Sequence, residues 1–513
     1  MPTLAIENQP GIGPVVKIMA NSGDSPLTTP NNQHGKFRFN SSVQAMVQTL
    51  GQYPFQFNNT GNVDATVYPY GGTLATASRV DLYANNGTGG RDIKQFVVNR
   101  MFPGLPFTPI LQINHEAASA PRTTIYSSFS LVGDGQGSAE TGFRITSQAG
   151  VSFQQTNQIN YYDGSFKWYD PGSLVTNVER RPGDPLSMLI ALDLPALNQA
   201  MSFPTGTVTP GQHVVELAGA VAGIKIARPG FDIRTASGRQ LIVDSTRYPA
   251  RVVAAGQMTL GAGASQTLNL PYAIGPYSYP EVHAVESGQL THPPVIGDYT
   301  SRAQVMDLRY QISASTFTFF NQGNETITFR YIVIADDTVP PTSGGSQIVQ
   351  TGVDGLGREF VRVKRGGSSD VAPSITDVLL DSRLPYIPII AEGYIPAAGM
   401  TEAPTALRFG EIAKTVNFDN PGNTFWPFVK FVAHDQFGAY YHPISKLHLA
   451  YFYSTPWANR QARNSAVAVI GDTWVKFHAA PANPSAINYS TAEYTGRQFQ
   501  GLRYYILAIP KDL

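Results

Sequence analysis

His434, Asp435 and His442 form the densest local group of side chains that could bind a metal ion. They lie in the stretch HDQFGAYYH, and imidazole nitrogens and carboxylate oxygens are ligands that Zn²⁺ accepts. The intervening QFGAYY is typical of a hairpin, across which two histidines can approach each other. Histidines that cap a core or face solvent are far more common than metal ligands. We therefore expect no metal site here.

Motifs of catalysis and cofactor binding are missing from the sequence. It contains no GxSxG elbow, no HExxH, no P-loop, no GxGxxG that opens a helix and no EF-hand spacing. The glycine-rich GDGQGSAETG, residues 133–142, is not followed by lysine and is better explained as a hairpin tip. We predict no catalytic residues, no cofactor and no metal. A pair of carboxylates far apart in sequence, as in glycoside hydrolases, remains open.

An aromatic cluster within the stretch NQINYYDGSFKWYDPGS, residues 157–173, is the strongest candidate for a contact loop. Aromatic side chains interleaved with Asp and Gly are common where proteins contact carbohydrate or other proteins. The alternative is that these rings cover the end of a β-sandwich. The candidate contact residues are Tyr161, Tyr162, Phe166, Trp168 and Tyr169.

The elements around these residues have the pattern of strands. Apolar and polar residues alternate in FVRVKR, TITFRYIVIA and SKLHLAYFY, and this period of two indicates β-structure. Turn-forming clusters such as NNGTGG, NQGNE and FDNPGNT separate the runs. Together they predict an all-β fold.

One segment of the sequence is repeated. Residues 224–256 and 361–393 share an alternating strand, an Asp-Ser pair and a glycine at a constant spacing of 137, and residues 16–51 form a weaker copy with a four-residue insertion. Asp and Ser between two apolar runs can bond the backbone amides of a turn, so we interpret these pairs as turn caps. The predicted caps are Asn40, Ser41, Asp244, Ser245, Asp381 and Ser382.

Each copy is followed by the same order of apolar segments, the last being LSMLIAL, FRYIVIA and LRYYILA. We therefore predict three tandem related β-sandwich domains, each with strands enough for its own core. The predicted domains are residues 1–205, which carry the aromatic insertion, residues 206–345 and residues 346–513. We call these segments one, two and three.

Composition excludes several classes of protein. The 36 basic and 36 acidic residues balance, which disfavours binding to nucleic acid. The chain has no cysteine, and its beginning lacks the pattern of a signal peptide. No apolar run approaches the length of a membrane-spanning segment, so we expect that the chain does not insert into a membrane. We expect it to be synthesised in the cytoplasm.

The stretch IARPGFDIRTASGRQLIVDSTRYPARVV resembles a segment of tail-associated structural proteins of long-tailed bacteriophages. This resemblance implies a virion protein of the distal tail, in the baseplate or a fibre, made in the host cytoplasm. It implies other tail proteins as partners, assembly as a homo-oligomer (trimer or hexamer), and host surface glycan or receptor as a further partner. The alternatives are a glycan- or receptor-binding adhesin and a polysaccharide-degrading tail enzyme. The matching residues are Arg228, Pro229, Gly230, Phe231, Asp232, Thr235, Leu241, Asp244 and Ser245.

Overall fold

The computed structural model shows a mostly β protein, which confirms the predicted all-β character. Short 3-10 turns interrupt the strands at His34–Lys36, Ile375–Asp377, Ala397–Gly399 and Pro421–Asn423. No helix among the described residues has the length and apolarity needed to span a membrane. The residues that the structure describes are 4–9, 12–20, 23–43, 49–55, 66–67, 79–85, 90–97, 101–102, 105–107, 109–116, 122–123, 129–132, 142–148, 173–179, 186–199, 206–217, 224–236, 240–244, 251–286, 289–292, 308–321, 323, 325–402, 412–437, 440–443, 465–480 and 498–511.

The strands are short, as expected for alternating runs closed by turns. Their bounds are β1 (Leu4–Gln9), β2 (Gly13–Met19), β3 (Phe37–Asn40), β4 (Thr49–Phe55), β5 (Thr66–Val67), β6 (Arg79–Asn85), β7 (Gly90–Val97), β8 (Pro109–Glu116), β9 (Arg122–Thr123), β10 (Phe129–Val132), β11 (Gly142–Gln148), β12 (Ser173–Glu179), β13 (Leu186–Pro195), β14 (Val215–Leu217), β15 (Ile224–Ala227), β16 (Leu241–Asp244), β17 (Arg251–Leu260), β18 (Ser265–Asn269), β19 (Tyr279–Glu286), β20 (Gln289–His292), β21 (Leu308–Ser313), β22 (Thr316–Asn321), β23 (Ile327–Ala335), β24 (Val349–Val353), β25 (Glu359–Lys364), β26 (Val378–Asp381), β27 (Ile389–Pro396), β28 (Ile412–Asn417), β29 (Phe425–Phe437), β30 (Tyr440–Pro443), β31 (Ser465–Ile470), β32 (Trp474–Ala480) and β33 (Gln498–Pro510).

The repeated segment of the sequence forms three small sheets of three antiparallel strands. Their strand orders are β1-β2-β3, β14-β15-β16 and β24-β25-β26. In each sheet the register between the second and third strands shifts at one place, directly after Ile18, Ile226 or Val363. A β-bulge is a specific local feature, and its recurrence at the same register position shows that the three segments pair in the same way.

Each small sheet is followed along the chain by an inner sheet. The strand that comes last in the segment lies in the middle of this inner sheet. The inner sheets contain the orders β4-β13-β8, β17-β23-β19 and β27-β33-β29, each extended by one strand that pairs antiparallel with the outermost strand. Here too a bulge recurs, because one residue of the first strand is passed over in the register. The residues passed over are Leu50, Val253 and Ile390.

Each segment has a further set of strands outside the order of its inner sheet. These outer strands pair as β12-β11-β7-β6-β5, β18-β22-β21-β9 and β28-β32-β31. The third set joins the inner sheet of segment two, since β31 pairs with β20 and makes one sheet of seven strands. Segment one contributes β9 to the outer sheet of segment two. The sheets therefore cross the predicted domain boundaries.

Two cores lie mainly within single segments. In segment two, Phe317 and Phe319 of the outer sheet pack with Phe329 and Val333 of the inner sheet. In segment three, Phe477 packs with the inner strands β29 and β33 in the same manner. Full burial of one such side chain contributes about 1.5–3 kcal/mol.

A central core is shared by all three segments. It is built from the opposite faces of the inner sheets: Ile332 and Ile334 point into it, while Tyr331 and Val333, which alternate with them, point into the core of segment two. Both faces of β23 are thus buried at its end, which explains the uninterrupted apolar run YIVIA, residues 331–335. Paired residues of the three inner sheets meet in this core, namely Leu192 with Ile110, Ile334 with Tyr279, and Leu507 with Phe428.

The small sheets share a second core. Ile18, Ile226 and Val363, the residues that directly precede the three bulges, all belong to it. The segments also overlap: Ile375 of segment three is buried in the core of segment two, and the His34 ring of segment one packs edge-on against the Phe425 ring of segment three, with ring centroids 5.5 Å apart. Some strands and core residues are thus shared between segments, and tandem β-sandwich repeats stay a prediction. The domain boundaries themselves stay a prediction.

Candidate functional site

Asn40 with Ser41, and Asp381 with Ser382, occupy the same place at the end of a small-sheet strand. The Ser41 Oγ accepts a hydrogen bond from the Val16 amide at 2.8 Å, and the Ser382 Oγ accepts one from the Val361 amide at 3.0 Å. Val16 and Ser41 are 25 residues apart whereas Val361 and Ser382 are 21 apart, and the difference of four is the insertion seen in the sequence. Both serines bond a buried amide.

The preceding Asn or Asp closes a turn in each case. The Asn40 Oδ1 accepts a bond from the Ser42 amide at 3.0 Å, and the Asp381 Oδ1 accepts one from the Arg383 amide at 2.9 Å. This is the Asx turn that these residue types favour. Asp244 ends β16 at the equivalent register position, opposite Lys225, and Ser245 lies outside the described residues.

The Asp381 carboxylate is the centre of a buried polar network. Arg383 donates to it at 2.5 and 2.9 Å, and the Tyr272 hydroxyl of segment two donates to it as well. Burial and the neighbouring Asp381 carboxylate raise the pKa of Tyr272 above its usual value. The Arg383 guanidinium lies over the Phe360 ring at 4.1 Å. Through the bonds from Tyr272 and Arg383, this carboxylate joins segments two and three. Because its oxygens already accept several bonds, it is poorly placed to act on a substrate.

A second group of polar side chains lies where segments two and three meet at their inner sheets. The Lys430 ammonium and Glu281 carboxylate are 2.7 Å apart, and both side chains are about nine-tenths buried. His283 Nε2 lies 3.0 Å from the Val429 carbonyl, and Arg330 Nη1 donates to the Pro427 carbonyl at 2.9 Å. Each of these groups thus contacts the neighbouring segment.

His434 lies in the hairpin that the sequence predicted, formed by β29 and β30. In the register His442 lies opposite Asp435, one position from the pair formed by His434 and Pro443. His434 is buried, its Nε2 is 3.2 Å from the Tyr394 hydroxyl, and burial lowers its pKa to about 4. Within the described residues no group of three or more metal-ligand side chains comes together.

The other sequence candidates give no site that can be described. The contact loop Tyr161, Tyr162, Phe166, Trp168 and Tyr169 lies outside the described residues, as does nearly all of the glycine-rich stretch 133–142. Sequence reasoning missed the contacts between segments. The one signal for these contacts was the apolar run YIVIA with its counterparts MLIAL and YYILA, since such runs are expected for strands buried on both faces.

Comparisons of the chain with family models, with curated proteins and with solved structures found no match.

Proposed function

We propose that this chain is a non-enzymatic structural component of a tailed-phage virion, at the distal tail in the baseplate or a fibre. It consists of three related β-sandwich units that arose from one unit, assembles with other tail proteins, and contributes to host attachment. The observation that carries the proposal is the threefold recurrence of the same strand order and bulges around shared cores. Such a construction suits a binding and assembly scaffold.

The relation among the units is supported by backbone geometry as well as by register. Gly230 and Gly367 are 137 residues apart and have φ angles of +86° and +80°, in the left-handed region that favours glycine. Segment three lacks the Pro and Phe of the RPGF sequence but retains this glycine. Related units around common cores give the chain near-threefold repetition, which suits partners in the closed symmetric assemblies that the phage resemblance implies.

The buried polar groups support a structural role. Asp381, Glu281 and Arg330 are used in contacts between segments, and such contacts fix one arrangement of the units. A protein that holds its neighbours in fixed positions along a tail needs a rigid interior of this kind.

Immuno-electron microscopy of purified virions tests the proposal. An antibody against this chain should label the distal end of the tail, and the chain should be present in the protein profile of the particles. Particles that lack the chain, or labelling at the capsid, would contradict it. Host attachment is tested separately by binding of the full chain to host envelope fractions, with Trp168→Ala as the variant of the candidate contact loop.

A further inference from the structure

The exposed large apolar side chains of the described residues are all on the small sheets or on the segments that lead into and connect their strands. Four of the six lie on the third small sheet, in β24 and in the connections on either side of β25. Val353 is 61 % exposed and Val349 is 43 % exposed, both on β24. The six residues are Leu27, Val208, Val349, Val353, Leu356 and Val371.

Among the described residues, β24 pairs with β25 alone and is therefore an edge strand of its sheet. The Lys364 amide donates to the Ile348 carbonyl at 2.9 Å, and the Asp354 amide donates to the Arg358 carbonyl at 3.0 Å. Because hydrogen-bonded pairs alternate in an antiparallel ladder, residues 348, 350, 352 and 354 bond to β25. The amides and carbonyls of Val349, Thr351 and Val353 therefore point outward from the edge of the sheet.

This edge lacks the protection that edge strands commonly have. Natural edges are blocked by charged side chains, proline or bulges. β24 reads VQTGV and contains no charge and no proline, whereas the equivalent edge strands β1 and β14 each contain a glutamate.

The opposite face of β24 is fixed in place. The Gln350 side chain is buried, its Nε2 donates to the Asp370 carbonyl at 3.0 Å, and its Oε1 accepts a bond from Arg362 Nε at 3.0 Å. The strand is thus already ordered, so pairing with a partner strand loses no free energy in ordering it.

We propose that β24 pairs antiparallel with β24 of a second copy of this chain. The strand is self-complementary, since pairing centred on Thr351 sets Val349 of each copy opposite Val353 of the other. All outward amides and carbonyls of both strands are then bonded, and two exposed valine pairs are covered. A twofold contact of this kind uses the same patch on both copies.

Cysteine cross-linking tests the register directly, because the chain has no cysteine of its own. In a hydrogen-bonded antiparallel pair the two Thr351 Cα atoms would lie about 5.5 Å apart, within the range of about 4.4–6.8 Å that a disulfide spans. Under mild oxidation the full-length Thr351→Cys variant should form a disulfide-linked dimer. Val371→Cys is the matched control, since Val371 is 94 % exposed and lies in the connection between β25 and β26 rather than on β24.

Sedimentation of the full-length chain without cysteine gives the second readout. Dimers should appear as the concentration of the chain is raised to about 100 µM. Val353→Lys should raise the dimer dissociation constant at least about tenfold, because the substitution enters the contact twice, whereas Val371→Lys should leave it unchanged. A monomeric chain, which would reserve the edge for a different protein, overturns the proposal. Equal cross-linking of the two cysteine variants, or equal loss with the two lysine variants, overturns it as well.

Discussion

Replacement of Ser382 by alanine removes one acceptor from the interior and changes little else. The Ser382 side chain is 5 % exposed, and its Oγ accepts the bond of the Val361 amide, which belongs to a residue that is 4 % exposed. Ser41 and Val16 are equally buried in the first small sheet. Since neither site admits water freely, the substitution leaves a buried N–H without its acceptor.

The expected cost follows from that loss. A buried donor left unsatisfied costs about 1–3 kcal/mol, so Ser382→Ala and Ser41→Ala should each lower the free energy of unfolding by that amount. Ser369→Ala is the control, because the Ser369 Oγ accepts a bond from the exposed Ala372 amide, which water can replace. We expect the control to change stability by no more than about 0.5 kcal/mol.

Urea unfolding followed by tryptophan fluorescence measures all three variants against the unchanged chain. The assignment of Ser41 and Ser382 as acceptors for a buried amide of the neighbouring strand would be refuted if Ser382→Ala and Ser41→Ala both cost no more than the Ser369→Ala control. A loss at Ser382 alone would show that the weaker sequence copy is not equivalent to the third.

Two further predictions concern titration and close packing. Burial lowers the pKa of His34, and of His434, to about 4, below the value of about 6.5 expected when the chain is unfolded. Between these two pH values the unfolded state binds more protons than the folded state. The free energy of unfolding should therefore fall as the pH drops from about 6.5 to 4, by up to about 1.4 kcal/mol per pH unit for each histidine. Urea unfolding across this range should show a weaker pH dependence for His34→Leu, and an unchanged slope would contradict the assignment. A Cβ added at Gly393 would meet the Tyr504 hydroxyl at 2.5 Å, whereas one at Gly256 would meet the Tyr331 hydroxyl at 3.1 Å. Gly393→Ala should therefore lower the melting temperature more than Gly256→Ala, and the reverse order would contradict the packing.

The sequence predicted the local pairing well, because pairing depends on features that a sequence carries. The spacing of 137 between Asp244 and Asp381 corresponds to the same register position in two small sheets. Alternating runs such as TFTFFN became strands with alternating burial. Copy one, with Asn40 in place of aspartate, was the weakest by sequence, yet its bonds match those of copy three because an Asn oxygen accepts the same amide bond.

The arrangement of the units could not be predicted in the same way. An apolar run such as YIVIA indicates that both faces of a strand are buried, but not which neighbour covers the second face. The face carrying Ile332 and Ile334 packs against residues that are far away in the sequence, Leu192 and Leu507 among them. Contacts of Arg330 and Tyr272 with other segments depend on that arrangement and carry no local signal.

The shared central core is tested most directly by hydrogen exchange on the Leu507→Ala variant. Leu507 is 2 % exposed, lies in the central core and belongs to segment three. The truncation should cost about 2–5 kcal/mol, and amide protection should fall together in β33, in β23 of segment two and in β13 of segment one. Loss of protection confined to the strands of segment three, with β13 and β23 unchanged, would contradict a common core.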